Sequence, residues 1–246
     1  MKRALVVLGA IAMPAISYAS NLGAFGPDNK TISGRYPTLL IAAGYAFSIW
    51  GIIFLLALAY AVWQARSAQR DDAALSRLAP WTAAGYVLTA IWSPLFSREW
   101  FIACLLVIFG AMGCMLYAAT LATRLEVPPW VRTALSLHAG WLCLAAFLNV
   151  AQTLVAHRLF VDLMLPASLA LFASATVILV VANHRMRGNV AFATAAVWAL
   201  VAVFIKQRAS SLGGSSIAAW TALGIAVGLV AQTAGLRLRA RVATSA

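Results

Sequence analysis

Charge is what this chain has least of. Of its 246 residues, 10% are charged and six are acidic, while 63% are hydrophobic. A soluble domain carries roughly 25% charged residues. Too few are present here to cover a water-facing shell. Three cysteines (Cys104, Cys114, Cys143) lie inside apolar runs with no C-x-x-C spacing, so the sequence predicts neither a disulfide framework nor a metal site. Phosphate-binding loops, dinucleotide fingerprints, H-E-x-x-H and G-x-S-x-G are all missing, and no nucleophile has an adjacent base. The expectation is a protein that is not an enzyme. No period-two alternation marks a barrel, which leaves a helical bundle as the way to span a bilayer.

What remains is a series of long apolar runs. They cover residues 4–20, 37–64, 80–97, 100–122, 133–156, 159–183, 189–205 and 216–236. Runs of this length with few charges read as spanning helices. The fold expected is therefore all-α, a polytopic transmembrane bundle of about eight helices. The first run follows Lys2 and Arg3 and ends in Ser17-Tyr18-Ala19, so it reads equally as a first helix or a cleaved signal peptide. The second run is roughly 42 Å long as straight helix, against a hydrocarbon core of roughly 30 Å. It must tilt or begin above the core, next to the polar loop 21–36. Pro94 should disturb the last turn of the third run.

The net charge of +12 does not point to nucleic acid, because the basic residues lie singly or in small groups between apolar runs. That is the flanking pattern that orients membrane helices. With the N-terminus inside, twelve Lys and Arg, from Lys2 and Arg3 to Arg237, Arg239 and Arg241, fall on the cytoplasmic side. Six fall outside: Lys30, Arg35, Arg98, Arg158, Lys206 and Arg208. This bias puts both termini in the cytoplasm, and a bacterial inner membrane is the expected location.

Orientation sets depth. Gly44, Tyr45, Phe47 and Trp50 fall in the outer half of the second helix, Trp92 and Pro94 near the outer end of the third, and Trp100 at the start of the fourth. Phe147, Asn149 and Gln152 fall toward the outer end of the fifth. Aromatic walls with a few polar groups describe a small-molecule pocket. Trp and Tyr also gather at membrane interfaces simply because they are amphipathic. That second reading suits Trp63, Trp81 and Trp130 at inner helix ends. It suits Trp50 and Trp92 less well, since they lie about two turns from the nearest chain ends.

Three stretches, Gly44-Tyr45-Ala46-Phe47-Ser48-Ile49-Trp50, Ile91-Trp92-Ser93-Pro94-Leu95-Phe96 and Trp141 through Asn149, resemble blocks of the translocator protein/tryptophan-rich sensory protein (TspO/MBR) family, in that family's order. The resemblance covers roughly residues 4–157. Departures include Ala42 and Ala43 in place of two prolines, Cys104 in place of an acidic residue and Phe147 in place of a tyrosine. The resemblance implies a five-helix domain over 1–157 and a three-helix extension over 158–246. It implies a sensor or translocator that binds a small apolar, tetrapyrrole or sterol-like ligand. Carried over, Trp50, Trp92, Trp100 and Asn149 line the pocket, joined by Phe47 and Phe147 from depth.

Three other features invite alternatives. Asp162 is the one acidic side chain within an apolar run. It suits either a proton relay, as in a secondary transporter or channel, or an interfacial i,i+4 pair with Arg158. His138 shares a helix face with Trp141, Ala145 and Asn149, as a packing histidine or a relay member. Gly224-x-x-x-Gly228 permits close helix approach, in the bundle or in a homodimer.

Overall fold

The computed structural model describes residues 2–245, excepting the side chains of residues 161, 241 and 243–245. Nine helices appear among them: α1 (Lys2–Asn21), the short α2 (Asn29–Arg35), α3 (Ile49–Gln64), α4 (Ala73–Ser97), α5 (Phe101–Ala122), α6 (Pro129–Ala156), α7 (Met164–Arg185), α8 (Val190–Arg208) and α9 (Ser215–Ser245). A 3-10 turn, Gly44–Ser48, leads into α3. Seven helices are long and apolar enough to cross a membrane, counting Gly44–Gln64 as one. With 25 residues, α4 is long enough but less apolar, because Thr82, Thr89, Ser93 and Ser97 are buried along it. Thr82 and Thr89 hand their hydroxyl protons back to the carbonyls of Leu78 and Gly85, at 3.0 and 2.8 Å, so these two hydroxyls stay satisfied away from water.

The helices pack as two rings that share α6. One runs α1–α4–α5–α6–α3 and closes on α1; the other runs α6–α7–α9–α8 and closes on α6. A shared helix is enclosed from several sides. Accordingly 67% of the most apolar stretch of α6 is buried, against 22% for α7. One apolar core runs through both rings, from Val6 and Met13 of α1 to Ala226 and Leu229 of α9. Between α6 and α7 a turn holds Arg158 and Phe160 at positive φ. Outward residues such as Leu55, Leu106 and Val177 are exposed and apolar, the surface lipid tails require.

Several sequence expectations change. Residues 37–43 are not helical, so the long second run needs no tilt. They lie against α8, where the Ala43 amide donates to the Ala202 carbonyl at 3.0 Å and Gln207 Nε2 donates to the Thr38 carbonyl at 3.0 Å. The polar loop contains α2, whose N-cap Asp28 accepts from the Thr31 amide at 2.6 Å. Pro94 does not break α4, which continues to Ser97. Pro14 likewise lies within a continuous α1. Asp162 has no i,i+4 relation to Arg158, since α6 ends at Ala156 and the positive-φ turn intervenes; Arg35–Glu99 is the ion pair found among the described residues.

The rings meet most tightly at Gly140 of α6, where a Cβ would run into the Phe192 carbonyl oxygen of α8. Gly140→Ala should destabilise the bundle by about 1–3 kcal/mol, the usual cost of overpacking. Gly224, with open space around it, should accept alanine without loss. Thermal unfolding of both variants in detergent checks the contrast.

Candidate functional site

Beneath α2 a vestibule of about 760 Å³ opens between α1, α3 and α4. Met13, Pro14 and Tyr18 form one side, Phe47, Trp50 and Phe54 another, and Trp92 and Ser93 a third. A narrower recess of about 50 Å³ continues from it along α6. Phe47, Trp50, Thr89 and Trp92 line both spaces, as do Asn29 and Ser33 of α2, which forms the roof. Drug-sized ligands occupy pockets of roughly 300–1,000 Å³. By that measure the vestibule can house a ligand body and the recess only a small group.

The roof is tied down at its C-terminal end. Ile32 is fully buried against Phe96, Phe101 and Cys104. The Tyr36 ring meets Phe101 edge-on at 5.2 Å. Glu99, held at positive φ in the tight turn after α4, accepts from Arg35 and from the Tyr36 hydroxyl, both at 2.5 Å. That hydrogen bond to Glu99 raises the Tyr36 phenol above its ordinary value. At the other end, Gly26 (φ +138°) passes so close to Ser97 that a Cβ would lie 2.6 Å from its carbonyl oxygen.

The sequence-derived residues divide on this geometry. Phe47, Trp50, Trp92 and Asn149 share the cavity. Trp92 Nε1 donates to Asn149 Oδ1 at 2.9 Å, and Asn149 Nδ2 donates to the Ala145 carbonyl at 2.9 Å. The amide expected to orient a ligand is thus engaged in holding an indole ring in place. Trp100 lies off the cavity: it is 57% exposed, with Arg98 over its ring at 5.9 Å, in the manner of an interfacial belt residue. Phe147 also lies off it, because its position on α6 turns it toward α5, where it meets Phe109 at 5.7 Å.

Sequence reading left Trp141 out of the pocket and placed Gln152 there by depth alone. Trp141 lines the recess, its ring 6.0 Å from Trp50 and 5.9 Å from Phe47, with Nε1 unpaired. Gln152 lines it with both amide atoms unpaired. The stripe His138, Trp141, Ala145, Asn149 was visible; one more step along it, three residues on, reaches Gln152. His138 itself packs between Trp50 and Tyr86, each at 5.7 Å, and lies 3.3 Å from the Thr89 hydroxyl. The other omission is the second ring: Phe172 of α7 and Ala199 and Val203 of α8 close the recess. Trp198 Nε1 donates to the Ala46 carbonyl at 3.0 Å, fixing the turn that carries Phe47. Only an aromatic in an Ala-rich helix signalled this.

A bundle of membrane-spanning helices built around an aromatic cavity defines a multi-pass membrane protein. The chain belongs to the TSPO-like protein family, whose model matches residues 3–234 and so takes in both rings. No curated protein and no solved structure matches it.

Two outcomes follow for the cavity wall. Trp92→Phe strands the buried Asn149 oxygen and should cost about 1–3 kcal/mol. Adding Asn149→Leu should recover part of that loss, which thermal unfolding of single and double variants measures. Asp28→Ala removes the α2 cap and should cost the roof about 1 kcal/mol, read as faster amide exchange at Thr31 and Ile32. The Thr31 hydrogen bond holds the Asp28 carboxyl below its ordinary value. The cap is therefore kept at neutral pH and lost only as pH falls through that lowered value.

Proposed function

We propose that this protein is a membrane sensor or translocator that binds a small apolar ligand, tetrapyrrole or sterol-like, in the aromatic vestibule under α2. The observation that carries this reading is the vestibule itself. Its volume suits a ligand body, Phe47, Trp50 and Trp92 line it, and Lys30, Lys206, Asn29, Ser33 and Ser93 supply polar groups on its walls. Apolar burial and stacking supply the affinity, and α2 acts as the cover. Family membership supports the sensor or translocator role. Binding rather than catalysis is the proposed activity. We place the protein in a bacterial inner membrane with both termini cytoplasmic, as the Lys and Arg distribution favours, so that the vestibule lies in the outer leaflet. A homodimer through the open Gly224/Gly228 face is compatible with this arrangement.

Titrating purified protein with protoporphyrin IX and, separately, with a sterol tests the reading. At least one should quench tryptophan fluorescence saturably. Trp50→Ala and Trp92→Ala should each weaken that binding about tenfold, the loss of roughly 1.4 kcal/mol of ring contact. Unchanged binding in both variants would remove the vestibule as the site.

A further inference from the structure

The recess holds a polar group that the ligand-binding reading leaves unused. Gln152 is 1% exposed, and neither Oε1 nor Nε2 has a hydrogen-bond partner. It lies one helical turn before Ala156, which packs on the Ile32 cluster beneath the roof. Asn29 of α2 lines the same recess, and its Oδ1 is buried and unpaired as well. Asn149, one turn earlier on α6, bonds Trp92 and the Ala145 carbonyl and makes no hydrogen bond to Gln152. A buried amide left without partners costs roughly 1–3 kcal/mol per unsatisfied group. Native structures keep such groups where a ligand or an ordered water completes them.

The two amide atoms of Gln152 lie side by side in one plane, an acceptor next to a donor. A partner that satisfies both at once must present a donor next to an acceptor in the same plane. That partner must also be uncharged, because among the described residues no Asp, Glu, Lys, Arg or His lines the recess and an unpaired charge there would be strongly disfavoured. At about 50 Å³ the recess admits the edge of a molecule and no more.

Resting on the vestibule as the ligand site, we infer that Gln152 is a specificity-determining residue that reads the edge of a lactam, a ring amide held cis. The lactam N–H donates to Oε1 while Nε2 donates to the lactam carbonyl. The apolar remainder of the ligand lies in the vestibule against Trp50 and Trp92. The polar edge thus faces the roof, and the ligand enters in one orientation.

The test uses the full chain in detergent or nanodiscs and three neutral probes: a phenyl-substituted quinolone lactam, its N-methyl derivative and its O-methyl ether. The last two keep the ring system and lack the donor. Tryptophan-to-quinolone energy transfer reads binding. The lactam should bind about tenfold more tightly than either methylated form, the effect of stranding a buried hydrogen-bonding group. Gln152→Met keeps length and removes both polar atoms; it should level the three affinities. Gln152→Asn withdraws the amide by one methylene and should shrink the preference, which keeps the test open if the Met variant folds poorly. Equal binding of all three probes to the wild type would mean that water alone fills the recess and would overturn the inference, while the vestibule reading stands. A preference that survives Gln152→Met would overturn it too. If no quinolone, porphyrin or sterol binds, both readings fall.

Discussion

Helix α6 has to serve two rings of helices at once, and most of the architecture follows from that constraint. A helix in lipid can leave apolar side chains facing outward on one side. A helix enclosed on several sides cannot, and must match each neighbour sterically. Gly140 gives α8 its closest approach, Phe147 packs on α5, and the face from Trp141 to Gln152 is left for the cavity. Where α6 is buried, its polar residues are held away from lipid and from water. Each must then find a partner, or mark a place where one is supplied from outside the chain.

The cavity persists because its walls are fixed from behind. Trp92 is held by Asn149, and Phe47 by the turn that Trp198 anchors. Trp50 is set between Phe54, His138 and Trp141. Rings fixed edge-on or stacked against one another cannot collapse inward to fill the void, since each would have to leave a favourable contact. The roof obeys the same logic. Ile32 anchors it by burial, and Glu99 holds its C-terminal end through two hydrogen bonds.

How much of this was legible in the sequence depends on range. Span positions were legible, because hydropathy is a local property and the bilayer filters for it. That Phe47, Trp50, Trp92 and Asn149 meet at one level of the bundle was legible because rise per residue converts position along neighbouring helices into relative height. Rotation about a helix axis was not. It is set by contacts between segments distant in the chain, and so Phe147 was placed at the right height on the wrong side. Residues 37–43 read as helix because they join an apolar run, yet their amides and carbonyls are partly satisfied by α8, more than 150 residues away. The polar loop 21–36 was legible as a loop; that Asp28 caps a helix within it depends on the Thr31 amide being presented to it.

The weakest spanning signal in the chain belongs to α4, and the reason links hydropathy to function. Thr82, Thr89, Ser93 and Ser97 lower its apolarity, and all are buried. A polar side chain at membrane depth is tolerated where it faces protein or a cavity. Helix α4 packs between α1 and α5, and its Thr89 and Ser93 line the vestibule. An intermittent loss of hydropathy within an otherwise apolar chain is therefore informative in itself. It marks the helix whose polar face is turned to an interior space, and here that helix is the one carrying Trp92.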